Sequence, residues 1–383
     1  MSSRVLALLA LLAVALLPSD SRAFTIRTGF TDGCHEQFAT DAFLRSLPEL
    51  PAFPADAVPR DDWENVASVY LNVDEELDRG ARFALYSVVL GARAPDTEGH
   101  SITNAQALRA AQSNPTGQYA HCLRARDDDY DAGNASALAG CREEILASVV
   151  RALDAVRAAE GDRPREVEEI VVTLDVYGAF ETKVWLPAYH LGRALHTLQD
   201  SFSHMLRGPT MHSVVHVMNF EAAVAGRLDE ARDGLAHSVT MDRCALPLDE
   251  GERALQAARY DATVNASAQL LQVASALLRA DMEGTQPTLL LVEEALDTWL
   301  TLADPAALGD FEACTDDNDY CASPWLAIAR RQPTTPAFAC AAAPSPRAGT
   351  PHGVWLFGVL SVGALVRRTR RRGSRARAGG TGR

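Results

Sequence analysis

The chain has 383 residues and a formal net charge of −14. Its two ends, residues 1–23 and 341–383, carry 11 of the 36 basic residues but only one of the 50 acidic residues, so the part between them has a net charge of −24. A body with this much negative charge lacks the basic surface through which proteins bind nucleic acids, so we expect no extended nucleic-acid binding.

The first 23 residues have the order of parts of a secretory signal peptide. Arg4 supplies a basic start, Val5–Leu17 is an unbroken apolar run, and a polar stretch ends at the small residue Ala23. The apolar run is shorter than the roughly 20 residues that a membrane-spanning helix needs. We therefore expect export, with cleavage leaving Phe24 as the new N-terminus; an uncleaved anchor is the alternative.

The body, residues 24–335, is predicted to be one all-α domain of many helices with loops pinned by disulfides. Apolar residues recur at three and four spacing in three stretches, Leu146–Ala159, Leu255–Met282 and Leu290–Leu302. Strand-like alternation is confined to Glu169–Val176, which is equally compatible with a helix. Glycine, proline and acidic residues predict loops at Pro95–Asn104 and Asp127–Asn134.

The body contains an even number of cysteines, which in an exported chain indicates disulfides. They are Cys34, Cys122, Cys141, Cys244, Cys314 and Cys321. Six cysteines allow 15 connectivities, so sequence alone leaves the pairing open. The short loops favour Cys122 with Cys141 and Cys314 with Cys321, which leaves Cys34 with Cys244. No CxxC pair is present, which argues against a zinc–thiolate site.

A predicted central helix carries three candidate metal ligands on one face. His196, Asp200 and His204 are four residues apart, so successive side chains drift by only about 40° around the helix axis. Pro187 marks the start of this helix, and Gly208 follows its end. Two imidazoles and a carboxylate suit zinc, although other segments must complete the coordination shell.

A second pair of histidines follows. His212 and His216 are also four residues apart, which on a helix would form a two-point metal clamp. We expect His216 to be a ligand, with His212 or Asn219 as the second choice. A purely structural role for both histidines is the alternative.

The segment Leu191–His204 resembles the central helix of the zinc-dependent phospholipase C superfamily, which includes the single-strand-specific zinc nucleases, and is most similar to the Het-C-like branch. Gly33–Glu36, with Cys34 and His35, resembles the early histidine that begins the family's first helix. The resemblance implies an all-α fold and up to three zinc ions that hydrolyse phosphodiesters. It implies ligand roles for His35, His196, Asp200, His204 and His216.

The family's upstream carboxylate and histidine correspond by spacing to Asp96 and His100, so both are predicted ligands. Asp96 is also the predicted catalytic residue, as a general base or bridging ligand. His121, Asp127 and Asp128 are lesser candidates. A further acidic group consists of Asp316, Asp317 and Asp319. It could hold calcium, but because it lacks EF-hand spacing we interpret it as a solvated loop.

Three functions follow from these patterns. The first is a zinc-dependent phosphodiester hydrolase, for which a phospholipid suits so acidic a protein better than a nucleic acid does. The second is a non-catalytic surface protein with a structural metal site, because the spacing from Asp200 to His204 is shorter than in the phospholipases. The third is a helical adhesin whose histidines bind nothing.

The C-terminal segment predicts attachment to a membrane. A linker at 336–352 contains Cys340 and is followed by an anchor tail at 353–383, in which the apolar run Gly353–Val366 is stopped by an arginine cluster. This order of parts is similar to the MYXO-CTERM sorting tail. That resemblance implies removal of the tail and anchoring at the cell surface or outer membrane through Cys340. An ordinary C-terminal anchor is the alternative.

Overall fold

The computed structural model describes the body of the chain with gaps. The described residues are 33–46, 53–60, 63–71, 73, 76–101, 104–124, 130–157, 167–174, 178–220, 224, 226–244, 250–283, 288–303 and 323–331. The chain divides into two units, Met1–Ala341 and Ala342–Arg383, and all described residues belong to the first. The predicted signal peptide, linker and anchor tail lie outside the described residues. Within the described part, no helix combines the length and apolar character needed to cross a membrane.

The described residues are mostly helical, which confirms the predicted helical class. The helices in chain order are α1 (Cys34–Ser46), α2 (Trp63–Tyr70), α3 (Arg79–Thr97), α4 (Ala105–Gln112), α5 (Pro115–Ala120), α6 (Tyr130–Arg157), α7 (Leu186–His204), α8 (Glu230–Asp233), α9 (Glu250–Met282), α10 (Leu290–Trp299) and α11 (Leu326–Ala329). A 3-10 turn covers Ala55–Ala57.

Short strands interrupt the helices. They are β1 (Val167–Leu174), β2 (Gly178–Trp185), β3 (Met205–Arg207), β4 (Ser213–Val217) and β5 (Thr301–Leu302). β1 and β2 form an antiparallel hairpin, while β4 pairs antiparallel with β3 and parallel with β5. The run Glu169–Val176, which sequence left open between strand and helix, therefore lies largely in a strand. The predicted helix at Leu290–Leu302 ends at Trp299.

Helix α7 lies at the centre of the fold. It packs against α1, α3, α6 and α9, and its side chains are buried on nearly every face. Two glycines permit the close approach of α3: a Cβ atom on Gly91 would lie 2.0 Å from the Tyr189 carbonyl oxygen, and one on Gly192 would lie 2.1 Å from the Val88 carbonyl oxygen. The polar face of α7 is therefore enclosed by other helices instead of facing water.

Helix α3 extends further than its sequence indicated. The Asp78 side chain caps its N-terminus by accepting hydrogen bonds from the backbone N–H groups of Gly80 and Ala81 at 2.9 and 3.0 Å. The loop predicted at Pro95–Asn104 was wrong at its start, because Pro95 and Asp96 lie in the last helical turn. The helix ends only where Glu98 adopts the left-handed conformation, with φ of 44°.

Two of the three favoured disulfide pairings are confirmed. Cys34 is bonded to Cys244, and Cys122 is bonded to Cys141. Cys314 and Cys321 lie outside the described residues, as do the acidic residues between them. The predicted loop at Asp127–Asn134 was wrong in its second half, because α6 already begins at Tyr130.

Candidate metal centre

The polar face of α7 supplies three side chains that are fully buried. His196, Asp200 and His204 each have 0% exposure. All three lie in α7, so their four-residue spacing places them on one face of the helix, as predicted. His196 Nε2 lies 3.1 Å from Asp200 Oδ2. Buried ionisable groups at this density need compensation by partner charges or by a metal ion.

A first group of candidate ligands joins α7 to α1. His35, His196 and Asp200 place one donor atom each within 4.8 Å of one another. His35 Nε2 lies 3.1 Å from Asp200 Oδ1, and the imidazoles of His35 and His196 stack with ring centroids 4.1 Å apart. His35 is the second residue of α1, so the contact between this helix and α7 positions it.

A second group shares His196 and adds residues from two further segments. Asp96, at the end of α3, and His121, after α5, place donor atoms within the same 4.8 Å limit of His196. His121 Nδ1 lies 2.8 Å from Asp200 Oδ2 and 3.1 Å from His196 Nε2. Asp96 Oδ2 lies 3.9 Å from His35 Nε2, so the first two groups are contiguous.

A third group lies at the C-terminal end of α7. His204, His237 and Asp242 also place donor atoms within 4.8 Å of one another. Asp242 Oδ1 lies 3.0 Å from His237 Nε2 and 3.6 Å from His204 Nε2. The imidazoles of His204 and His237 meet edge to face at 4.7 Å.

Hydrogen bonds to amide or carbonyl oxygens that are not candidate donor atoms orient three of the imidazoles. His35 Nδ1 donates to Gln199 Oε1 at 2.7 Å, His196 Nδ1 donates to the Ala92 carbonyl oxygen at 2.7 Å, and His204 Nδ1 donates to the His121 carbonyl oxygen. Because these oxygens can only accept, each neutral ring carries its hydrogen on Nδ1 and turns the Nε2 lone pair inward. Metal-ligating histidines are typically held in this way.

Several inward-facing atoms lack hydrogen bonds. Neither carboxylate oxygen of Asp96 has a hydrogen-bond partner among the described residues, and the same is true of His204 Nε2. Asp96 is 1% exposed, so water does not replace the missing partners at its surface. A buried, unsatisfied carboxylate is unfavourable, and a cation held between the groups would satisfy it.

The protonation of the metal-free centre reflects this crowding. Burial lowers the pKa of His35, but the Asp200 and Asp96 carboxylates outweigh it and raise that pKa to about 9. Burial raises the pKa of Asp200, yet the neighbouring imidazoles, His196 first among them, bring it well below its usual range. Burial lowers the pKa of His196. A protonated His35 therefore balances buried negative charge where a metal ion could do so.

The structure brings together five of the seven predicted ligands: His35, Asp96, His196, Asp200 and His204. His100 is exposed beyond the end of α3 and belongs to none of the groups. His216 is buried, but its Nε2 accepts a hydrogen bond from the Leu235 backbone N–H at 3.1 Å, and burial lowers its pKa to about 3. That contact uses the lone pair that a metal would need.

The expected helical clamp of His212 and His216 was wrong. Ser213–Val217 forms a β-strand, so residues four apart share a strand face and lie too far apart to act as a clamp. His212 is exposed and stacks on Trp299, with ring centroids 4.5 Å apart.

Three members of the groups were not among the seven ligands predicted from the sequence. His121 ranked only as a lesser candidate, while His237 and Asp242 had no assigned role. The neighbouring cysteines were the available signal, because Cys122 follows His121 and Cys244 lies two residues after Asp242. A disulfide restrains the loop that contains it, so a histidine or aspartate close to a bonded cysteine is held in a fixed position, as a metal ligand must be. Asp127 and Asp128 lie outside the described residues.

A small cavity adjoins the third group. It has a volume of about 10 Å³ and is lined by Gln112, Gln118, His121, Leu123, His204, Phe220 and His237. This is room for about one water molecule. Three of its lining residues, His121, His204 and His237, are candidate ligands.

Imidazole nitrogens and carboxylate oxygens together suit a divalent cation of borderline softness. The buried groups can hold such a metal ion, and the first two of them share His196. Comparison of the chain with protein-family models, with curated proteins and with solved structures finds no match.

Proposed function

We propose that this chain is an exported, surface-anchored, zinc-dependent phosphodiester hydrolase with the fold of the zinc-dependent phospholipases C. The observation that carries the proposal is the convergence of three donor groups along one buried helix, α7. The three groups contain eight different side chains for up to three zinc ions, with His196 common to the first two groups. The central-helix motif and the early His35 support the same family, since both supply donors to these groups.

The residues divide among the ions by their contacts. His35 and Asp200 would hold one ion, and His196, His121 and Asp96 would hold a second. Asp200 would be shared between them, because its Oδ1 lies 3.1 Å from His35 Nε2 and its Oδ2 lies 2.8 Å from His121 Nδ1. His204, His237 and Asp242 would hold the third. Zinc ions so clustered supply Lewis acidity toward a phosphodiester and lower the pKa of bound water.

Asp96 is the strongest candidate for a residue that takes part in the reaction. Its two oxygens have no hydrogen-bond partner among the described residues, while Asp200 is committed to contacts with several imidazoles. Asp96 can therefore bridge between ions or accept a proton as a general base. Gln199 and Ala92 would keep the ring hydrogens of His35 and His196 directed away from the reacting atoms.

The net charge of −24 between the two ends favours a lipid headgroup over a long polyanion as the source of the phosphodiester. Attachment of the C-terminal segment to a membrane would bring the domain to such a substrate. A phospholipid is accordingly the proposed substrate, and the cell surface or outer membrane is the proposed location.

Burial of the centre favours a second candidate, a surface protein with a structural metal site. All candidate ligands except His237 are at most 3% exposed, and the adjoining cavity accommodates only about one water molecule. Structural zinc sites have closed shells of protein donors, whereas catalytic sites keep a position open. Both candidates bind metal, and they differ in whether a coordination position is open for turnover.

Metal analysis of the purified full chain tests both candidates. We expect about three zinc ions per chain, and loss of most of this zinc in His196→Ala and Asp200→Ala. His100→Ala is the matched control, because this exposed histidine lies outside the groups and its removal should leave the zinc content unchanged. A wild-type chain that retains no metal would refute the metal centre.

Hydrolysis of phosphatidylcholine vesicles and of a soluble phosphodiester then separates the candidates. The enzyme predicts activity in the wild type and in His100→Ala but none in His196→Ala. Full zinc content without turnover of either substrate would support the structural site instead.

A further inference from the structure

Both disulfides lie beside candidate ligands. Cys34 immediately precedes His35, Cys122 immediately follows His121, and Cys244 lies two residues after Asp242. The ligands so placed belong to all three groups. The fourth cysteine, Cys141, lies inside the long helix α6 and provides a firm attachment for Cys122.

The segment that carries Asp242 has little regular structure of its own. Residues 237–244 form turns and irregular backbone, so hydrogen bonds of a helix or strand do not position the carboxylate. The Arg259 guanidinium donates to the carbonyl oxygens of Met241 and Arg243, at 2.7 and 2.6 Å, on either side of Asp242. The bond from Cys244 to Cys34 then ties this segment to the first residue of α1.

The Cys34–Cys244 disulfide consequently connects two groups. His35 of the first group follows one sulfur along the chain, and Asp242 of the third group precedes the other. The Cys244 backbone N–H also donates to Cys34 Sγ at 3.1 Å, which adds to the rigidity of the junction.

The Cys122–Cys141 disulfide holds a strained turn. Cys122 has a positive φ of 49°, which is unfavourable for a residue with a side chain. The preceding residue, His121, contributes twice to the centre: its ring approaches Asp200 and His196, and its carbonyl oxygen accepts the Nδ1 hydrogen of His204. Movement of this turn would disturb the second and third groups together.

We propose that the two disulfides position the metal ligands, so that the metal affinity of the centre depends on their oxidation. This rests on the proposed metal centre. Reduction of each disulfide by a thiol or phosphine takes up two electrons and two protons, breaks one S–S bond and gives two thiols, while the reductant is oxidised. Linkage between equilibria is reciprocal, so a metal ion that prefers the oxidised centre also shifts the equilibrium of each disulfide away from its reduced form.

The experiment compares zinc affinity, measured by competition with a chromophoric chelator, in oxidised full-length variants. Cys34→Ser/Cys244→Ser and Cys122→Ser/Cys141→Ser should each bind zinc at least about tenfold more weakly than the wild type, as expected when groups that orient ligands are lost. Serine variants are needed because free thiols would themselves bind zinc. Leu296→Ala is the control for general destabilisation, since Leu296 is buried in α10 and is not next to a candidate ligand.

A second measurement covers variants that fail to fold. Wild-type disulfides are reduced with a trialkylphosphine, which becomes the phosphine oxide by taking oxygen from water, in the presence and absence of zinc. Cys34, Cys122 and Cys141 are fully buried, so the phosphine reaches the disulfides only when the centre opens. We expect bound zinc to make this opening rarer and to slow the reduction about tenfold or more. The proposal is overturned if folded serine variants bind zinc within twofold of the wild type, if Leu296→Ala loses as much affinity as they do, or if zinc leaves the reduction rate unchanged.

The outcomes separate this proposal from the proposed function. Tight zinc binding that is independent of the disulfides would overturn the positioning role alone. Disulfide-dependent zinc binding without phosphodiester hydrolysis would overturn the enzymatic function alone. Absence of zinc binding in the oxidised wild type would overturn both.

Discussion

Gly91 of α3 and Gly192 of α7 are in contact where the two helices cross. A Cβ atom on Gly91 would lie 3.0 Å from the Cα atom of Gly192, and one on Gly192 would lie 2.9 Å from the Cα atom of Gly91. Asp96 follows Gly91 by five residues, and His196 follows Gly192 by four. The close crossing therefore sets the distance between a carboxylate and an imidazole of the second donor group.

Replacement of Gly192 by alanine should separate the helices. The new Cβ would lie 2.1 Å from the Val88 carbonyl oxygen, a contact that only backbone movement can relieve. We expect a loss of about 1–3 kcal/mol in the free energy of unfolding, measured by urea denaturation of the metal-free chain, together with weaker zinc binding. Gly251→Ala, on an exposed turn of α9, is the control and should be neutral or slightly stabilising.

Asp96→Asn should separate metal binding from folding. The substitution removes a buried carboxylate that makes no hydrogen bond among the described residues. The metal-free variant should therefore be as stable as the wild type or more stable, by about 1 kcal/mol. Zinc should raise the thermal midpoint of the variant less than that of the wild type, because only the second donor group loses a ligand. An equal rise in both, measured by calorimetry, would exclude Asp96 as a ligand.

Gln199 provides a test of ligand orientation. It accepts the Nδ1 hydrogen of His35 and donates to Ser267 Oγ at 3.4 Å, so it links the imidazole to α9. Gln199→Leu should weaken zinc binding about 10- to 100-fold, because the ring loses its fixed orientation. Gln199→Glu keeps the acceptor and should retain much of the affinity. Equal affinities for the two variants in chelator competition would argue against this role.

Stability of the metal-free chain should fall as the pH rises from about 6.5 to about 9. His35 has a pKa of about 9 in the folded protein, against 6.5 for an unperturbed histidine, so the folded state binds more protons in this window. The stabilisation is complete below the lower value and lost through the upper one, and it amounts to about 3 kcal/mol at most. His35→Gln should flatten this dependence in denaturation curves taken at several pH values.

At acid pH, the free energy of unfolding should depend on a different histidine, His216. Burial holds the pKa of His216 at about 3, so the unfolded chain binds the extra proton below pH 6.5. Stability from this group is therefore present above 6.5 and declines as the pH falls toward 3. The two histidines titrate in separate windows, so His216 does not obscure the test on His35.

The sequence was sufficient for the elements with regular periodicity. The long helices and the face shared by His196, Asp200 and His204 follow from spacing alone, because a helix repeats at fixed geometry. The disulfide between Cys34 and Cys244 was reached only by elimination. Nothing local to either cysteine indicates a partner 210 residues away.

The remaining ligands depend on packing between distant segments. Asp96 was expected in a turn because proline usually ends a helix, but α3 continues through Pro95 to Thr97. His216 was expected to bind metal, yet the Leu235 backbone takes its lone pair. His237 and Asp242 lie on irregular backbone, for which no periodic pattern exists.

The candidate ligands extend along the chain from His35 to Asp242, and α7 contributes only part of each group. No fragment that ends before residue 242 contains the complete donor set, and a segment with native α7 alone would bind metal weakly. Long loops must therefore close before strong coordination is possible, and such closures come late in folding. Metal capture should then be a late kinetic event, in which the choice of ion is made by an already folded chain.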